Sequence, residues 1–234
     1  MIGRTILEVS SKEITYAIKD HKVLLVRNES EEKHLEAASK IGEIIPIYED
    51  TTTGNKTGGV FTDIKYDPEK SSSFSFSSTR QPFHTDGSYE KNAPDITFFF
   101  CRESAKYGGL TLFLDNEILI DLIQPSLMKD LLSIPVRHTK GNDERTRPIL
   151  VQKEKLSWNW NFFRAEKNKE NQSMIDEWKN LLDHVEQSQI SDGVKLHPGD
   201  AVFFWDEDQL HGRTAFFGNR WLVKGGIRCP TETL

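Results

Sequence analysis

The stretch QPFHTDGSY places His84 two residues before Asp86. On an extended chain residues i and i+2 point the same way, so an imidazole and a carboxylate leave one strand end together. They supply two members of the two-histidine, one-carboxylate set that holds non-haem iron(II). Taken alone, an HxD pair more often means a turn histidine bonded to its neighbour. The third ligand must come from elsewhere. His211, in DEDQLHGRTAF, is the candidate, because it follows the turn and strand of LHPGDAVFFW. Greek-key sandwiches set strands distant in sequence side by side. Arg220 opens RWLVKGGIR, where period-two alternation puts Arg220, Leu222 and Lys224 on one face and Trp221 and Val223 on the other. An inward guanidinium is costly to bury without an anion, and a carboxylate is its natural bidentate partner. A rim ion pair with one of the 36 acidic residues is the plainer use of Arg220. Of the other histidines, His21, His34 and His184 sit in charged or helical surroundings and are expected in solvent. His138 and His197 suit core or loop positions.

The elements that must position these groups are mostly strands. Lys22–Arg27, Ile96–Arg102, Thr111–Asp115, Ala201–Trp205 and Arg220–Arg228 read as short β runs. Ser30 caps a helix that Gly42 closes, with Leu35, Ala38 and Ile41 on one face. A second helical stretch covers roughly Asn116 to Leu132 and breaks before Pro125. A third runs near Asn171–Gln187 with Met174, Ile175, Trp178, Leu181, Leu182 and Val185 as its apolar stripe. Many short strands, scattered helices and no βαβ alternation favour a sandwich or barrel. No linker separates two domains, so residues 1–234 are expected to form one. Within it, the polar, Ser-rich residues 50–81 are expected to be a mobile loop or lid.

Taken together, HTDGSY, YGGLTLFLD, LHPGDAVFFWDEDQLHGRTAF and NRWLVKGGI, in that order, resemble the iron(II)/2-oxoglutarate dioxygenases of the taurine dioxygenase and clavaminate synthase-like group. KVLLVR and the helix after it are similar to that group's N-terminal region, so the resemblance covers most of the chain. It implies a mainly β fold with flanking helices, a double-stranded β-helix or jelly roll. It makes His84, Asp86 and His211 the Fe(II) ligands, and Thr111 and Arg220 the residues holding the 2-oxoglutarate carboxylate, with dioxygen (O2) as co-substrate. The implied reaction is hydroxylation of an unactivated C–H, with succinate and CO2 as coproducts. Asp86 bears on the reaction type, because a halogenase of this class typically carries a small residue in place of that carboxylate. Desaturation and cyclisation share the hydroxylase's oxidant and stay open. The chain departs from the group's pattern by its short length. It also carries Asp206-Glu207-Asp208 where an Asp-Asn pair is expected, one residue shorter before the distal histidine.

The substrate is less legible. Lys224 shares a face with Arg220, and some amino-acid hydroxylases of the group bind a substrate carboxylate with a basic residue there. Arg80 and Gln81 precede HxD, and SWNWNFFR offers Trp158, Asn159, Trp160, Asn161 and Arg164. Aromatics interleaved with amides suit a small polar molecule such as a free amino acid. The expected substrate contacts are thus Lys224, Trp160, Arg164 and Arg80. Thirty basic against 36 acidic residues, a net charge of −6, argue against a nucleic-acid partner. No apolar run reaches the roughly eighteen residues that span a bilayer. With two cysteines far apart and no apolar leader, a cytoplasmic, free-thiol protein is expected. Two rival classes are a metal-free jelly-roll binding module and a zinc hydrolase on the same ligands. Neither needs the dicarboxylate clamp of Thr111 and Arg220. The sequence carries no sign of oligomeric state.

Overall fold

The computed structural model describes residues 5–47, 58–71, 73–152, 154–163 and 169–230. In chain order the strands are β1 (Ile6–Glu8), β2 (Val23–Val26), β3 (Glu43–Ile45), β4 (Thr62–Lys65), β5 (Gln81–His84), β6 (Ile96–Glu103), β7 (Tyr107–Gly108), β8 (Thr111–Asp115), β9 (Pro135–Lys140), β10 (Asp143–Pro148), β11 (Leu150–Gln152), β12 (Lys155–Leu156), β13 (Asp192–Val194), β14 (Ala201–Trp205), β15 (Gln209–Arg213), β16 (Phe216–Phe217) and β17 (Trp221–Arg228). The α-helices are α1 (Ile14–Ala17), α2 (Glu31–Ile41), α3 (Asn116–Asp121), α4 (Pro125–Ser133) and α5 (Gln172–Ser188). A large sheet runs β1-β2-β14-β6-β17-β3, with β4 also on β17, and a smaller sheet runs β13-β8-β15-β5. This is the mainly β, double-stranded β-helix architecture expected from the sequence.

The apolar runs are continuous because both faces of the large sheet are covered. Phe98, Phe100, Phe203 and Val223 point to α1 and α2, where they pack with Ile14, Ala38 and Ile41. Their neighbours Phe99, Cys101, Val202, Phe204 and Leu222 point the other way and meet Phe113 and Val194 of the smaller sheet. The far side of that sheet, with Phe83, Leu114 and Leu210, is capped by the α3–α5 residues Leu119, Leu131, Ile175 and Trp178. The molecule is thus helices, sheet, sheet, helices. Between the two sheets lies the space from which a site can be built.

The helices follow local rules. Asp115 accepts the amide hydrogen of Glu117 and starts α3, and Pro125 sits in the first turn of α4, where its missing N–H does no harm. Ser30 caps α2 through Lys33 N–H. The buried face of α2 is His34, Ala37, Ala38 and Ile41 rather than one centred on Leu35. His34 is therefore a correction: it is buried, and its Nε2 lies 2.9 Å from the Gly199 carbonyl. That bond offsets the cost of placing an imidazole on the inner face.

The polar 50–81 stretch lies partly outside the described residues, at 50–57 and at 72. In the remainder, β4 pairs with β17. Phe74 and Phe76 lie in turns, not in a strand, and the Asp67 amide bonds to the Phe76 carbonyl at 3.0 Å. Cys101 and Cys229 are buried free thiols. Among the described residues no helix is long and apolar enough to cross a membrane.

Gly225 lies opposite Phe98 in the β17–β6 register, and a Cβ there would come within 2.1 Å of the Phe98 ring. Phe98→Ala is expected to lower the unfolding free energy by about 3–5 kcal/mol. Gly225→Ala is expected to destabilise by pressing on the same ring, so the double variant should lose less than the two singles combined. Denaturant melts of the three variants measure this, and strict additivity would contradict the contact.

Candidate metal centre

β5 and β15 are antiparallel neighbours in the smaller sheet, with His84 directly opposite His211. Their ring centroids are 4.2 Å apart. Asp86 follows β5 in the next turn and brings its carboxylate between them. Oδ1 is 3.8 Å from His84 Nε2 and Oδ2 is 3.5 Å from His211 Nε2. One ligand atom from each residue lies within 4.8 Å of the others. The turn is tied down by backbone and side-chain bonds. Asp206, immediately after β14, accepts the amide hydrogens of Asp86 at 2.8 Å and Gly87 at 3.0 Å. Thr85 N–H donates to the Trp158 carbonyl, and Asn159 Nδ2 donates to the Thr85 carbonyl.

The donor set fits a divalent cation. His84 Nδ1–H donates to the Pro82 carbonyl at 2.8 Å, which turns the Nε2 lone pair toward Asp86. Burial pushes the His84 imidazolium down, and His211 falls to about 3 through burial and the neighbouring His84. Both rings are therefore neutral, as metal ligands must be. Burial alone would raise Asp86, but Lys224, with Nζ 2.9 Å from Oδ2, and the two histidines hold its carboxyl below the usual range. Two neutral imidazoles and one ionised carboxylate, facing one another without an ion, are the ligand chemistry of a facial iron(II) site. Asp206 behaves oppositely: burial and the nearby Asp86 push it up to about 7.

Thr111 begins β8, one strand over from His211, and Arg220 precedes β17. Both line the same cleft as His84, Asp86 and His211. Arg220 is 6 % exposed, and its Nη2 donates to Thr111 Oγ1 at 3.4 Å. Among the described residues it pairs with no carboxylate, so the rim ion pair is not its role. Burial, helped by Arg213, pushes its guanidinium down to about 9, a sign of a charge still without its anion. The GG turn before Thr111 depends on Gly108, whose φ of +66° would strain another residue and whose Cβ would sit 2.1 Å from the Ala215 carbonyl.

The expected substrate contacts separate. Lys224 reaches the cluster through Asp86. Arg80 does not: its guanidinium is drawn outward onto α5, 3.2 Å from Asp183 and 2.6 Å from Glu186, because that helix presents two carboxylates to it. Trp160 packs edge-to-face on Phe74 at 4.3 Å. Arg164 lies outside the described residues. Sequence reasoning missed Asp206, whose acidic neighbours Glu207 and Asp208 drew attention only as a departure from pattern. It also missed Arg213, two residues after His211, which donates to the Ser77 and Thr79 carbonyls at 3.0 and 2.8 Å. The period-two offset from His211 was the available signal for Arg213.

A double-stranded β-helix with two histidines and a carboxylate on its smaller sheet defines a class of non-haem metal proteins. A model of the "Taurine catabolism dioxygenase TauD, TfdA family" matches residues 4–225, and the chain belongs to that family of Fe(II)-, 2-oxoglutarate- and O2-dependent dioxygenases. It is similar to a trimethyllysine dioxygenase of Meyerozyma guilliermondii, 26 % identical over 156 residues, which are 58 % of this chain but only 39 % of that protein. Among solved structures it is similar to an asparagine oxygenase in complex with Fe(II), (2S,3S)-3-hydroxyasparagine and succinate. There the TM-score is 0.73 at 15 % identity, over 93 % of this chain and 77 % of that one. It is also similar to a variant of the non-haem iron oxygenase OrfP bound to (3S)-hydroxy-L-arginine. That TM-score is 0.69 at 14 % identity, covering 94 % and 79 % of the two chains. At these identities the two structures speak for the fold.

Asp206→Asn keeps the size of the side chain but can accept with only one oxygen, so it turns an N–H toward an N–H at the Asp86–Gly87 turn. Affinity for iron(II), or for cobalt(II) as a spectroscopic probe, is expected to fall about 10–100-fold. Direct titration measures this, and unchanged affinity would show that the turn stands without Asp206.

Proposed function

We propose that His84, Asp86 and His211 bind iron(II), that Arg220 and Thr111 hold the distal carboxylate of 2-oxoglutarate, and that the enzyme hydroxylates a C–H of a small polar metabolite such as a free amino acid. The observation that carries the reading is one cleft in which three metal donors and an Arg220 without an acidic partner face each other. Bound there, iron(II) and 2-oxoglutarate supply the activation of O2, with the keto acid leaving as succinate and CO2.

The chain's own residues do the rest. Arg220 and Thr111 hold and orient a dianion whose burial would otherwise be costly. Phe99 and Phe204, whose rings lie 6.0 and 4.8 Å from that of His211, wall the centre and exclude water. Asp86 fills the position that a halogenase leaves open, which favours hydroxylation over halogenation. The amino-acid products bound in two similarly folded oxygenases, hydroxyasparagine and hydroxyarginine, support an amino acid as substrate.

Anaerobic addition of iron(II) and 2-oxoglutarate is expected to produce the weak visible charge-transfer band of the chelate. His211→Ala should abolish the band. Arg220→Ala should weaken 2-oxoglutarate binding about thirty-fold or more, the counterpart of about 2 kcal/mol for truncating one side of a buried charge pair. Asp86→Ala should abolish hydroxylation. Well-folded wild-type protein that gives no band would sink the reading.

A further inference from the structure

A second set of buried charged groups gathers round the turn that follows Asp86, and the roles above do not use it. Tyr89 and Glu90 lie in that turn, 4 % and 6 % exposed, with the Glu90 amide donating to the Gly87 carbonyl at 3.0 Å. Lys140, the last residue of β9, brings its ammonium to 3.4 Å from the Tyr89 hydroxyl. There it lies over the faces of Tyr89 and Phe162, 5.2 and 4.5 Å from the ring centroids. Lys224 comes to the same turn from β17, with Nζ on Asp86. The two ammonium groups feel each other. Burial and the Lys224 charge bring Lys140 down to about 7, while Asp86, Asp206 and Glu90 keep Lys224 charged against its own burial.

The charge balance of this pocket is specific. Once Asp86 is a metal ligand its negative charge serves the cation, and Lys224 and Lys140 stand as two positive charges against Glu90 as one negative. A buried cation without a counter-charge is costly, so the complementary ligand brings two negative charges and one positive. An amino acid with a neutral side chain answers one lysine and Glu90 but leaves the second lysine without an anion. A basic amino acid adds a cation to a pocket that is already positive.

We propose that Lys140 forms a second anion-recognising subsite and that the substrate is an α-amino dicarboxylic acid, with one carboxylate on Lys224, the other on Lys140 and the ammonium toward Glu90. The proposal rests on the iron and 2-oxoglutarate reading above and names the substrate class for that site.

The test uses the full chain and a panel of aspartate, glutamate, asparagine, glutamine and arginine. Binding is read anaerobically from perturbation of the iron(II)–2-oxoglutarate band, and turnover from succinate release. Aspartate or glutamate is expected to perturb the band and to exceed its amide about tenfold or more in kcat/KM. Lys140→Gln should remove that preference, bringing acid and amide to within about twofold, mainly through KM, and Lys140→Arg should keep it. An intact band in Lys140→Gln shows that this variant folds and still binds the cofactors. A wild-type band with equal or better use of amides or arginine overturns the proposal and leaves the cofactor reading standing. So does a band that no member of the panel perturbs, or an acid preference that survives in Lys140→Gln. Failure of the band itself overturns both.

Discussion

Asp206 accepts two successive amide hydrogens, from Asp86 and Gly87, and the position of the metal-binding turn depends on that contact. Asp206 follows β14 of the large sheet, and its own amide donates to the Asp95 carbonyl just before β6. Asp86 and Gly87 follow β5 of the smaller sheet. One buried side chain therefore fixes the ends of strands from both sheets relative to each other. Without it, His84 and His211 would still face one another across the β5–β15 ladder, but the third donor would have no reason to sit between them. Lys224 acts on the same turn from β17, so three strands of the large sheet meet the carboxylate that β5 delivers.

Electrostatics then sorts the ionisable groups by role. The cleft holds groups that burial alone would neutralise, and each escapes or yields according to its neighbours. His84 and His211 yield and keep their lone pairs. Asp86 escapes because Lys224 stands beside it. Arg220, with no carboxylate among the described residues, keeps its charge at a cost that an incoming dianion removes. The same logic separates Arg213 from Arg220. Both are buried guanidiniums within one cleft, but Arg213 spends its donors on the carbonyls of Ser77 and Thr79 and thereby fastens the Ser-rich segment. Two arginines seven residues apart thus serve a loop and a ligand.

Much of the frame was legible because its physics is written locally. VLLV, ITFFFC and AVFFW are continuous apolar runs, as strands buried on both faces must be. Pro125 marks the break between α3 and α4, and the α5 stripe has helical spacing. The β9–β10 hairpin left no such trace, since its strands carry Arg, Glu, Thr and Lys and pair mostly with each other. Lys140 was hidden with it. His34 read as a solvated helical residue because its carbonyl partner, Gly199, is remote in sequence. Arg80 misled for the mirror reason: its proximity to HxD along the chain says nothing of the two carboxylates on α5 that claim it. Asp206 shows the general limit. A side chain that bonds to backbone amides across two sheets has no complementary residue type for a sequence to display.

The two histidines illustrate how different forces reach one geometry. His84 is oriented by a hydrogen bond, from Nδ1 to a carbonyl two residues back, and that bond also sets its tautomer. His211 has a buried Nδ1 without a hydrogen-bond partner among the described residues. Its ring is held instead by aromatic packing against Phe99 and Phe204, with Phe113 behind Phe204. A hydrogen bond fixes one direction sharply and tolerates changes around it. Packing fixes a ring only while every neighbour keeps its volume. His211 is thus the ligand whose placement depends on the hydrophobic layer between the sheets, and through it the metal centre and the core answer to the same residues. The Phe-rich strands that build the fold are for this reason part of the site as well.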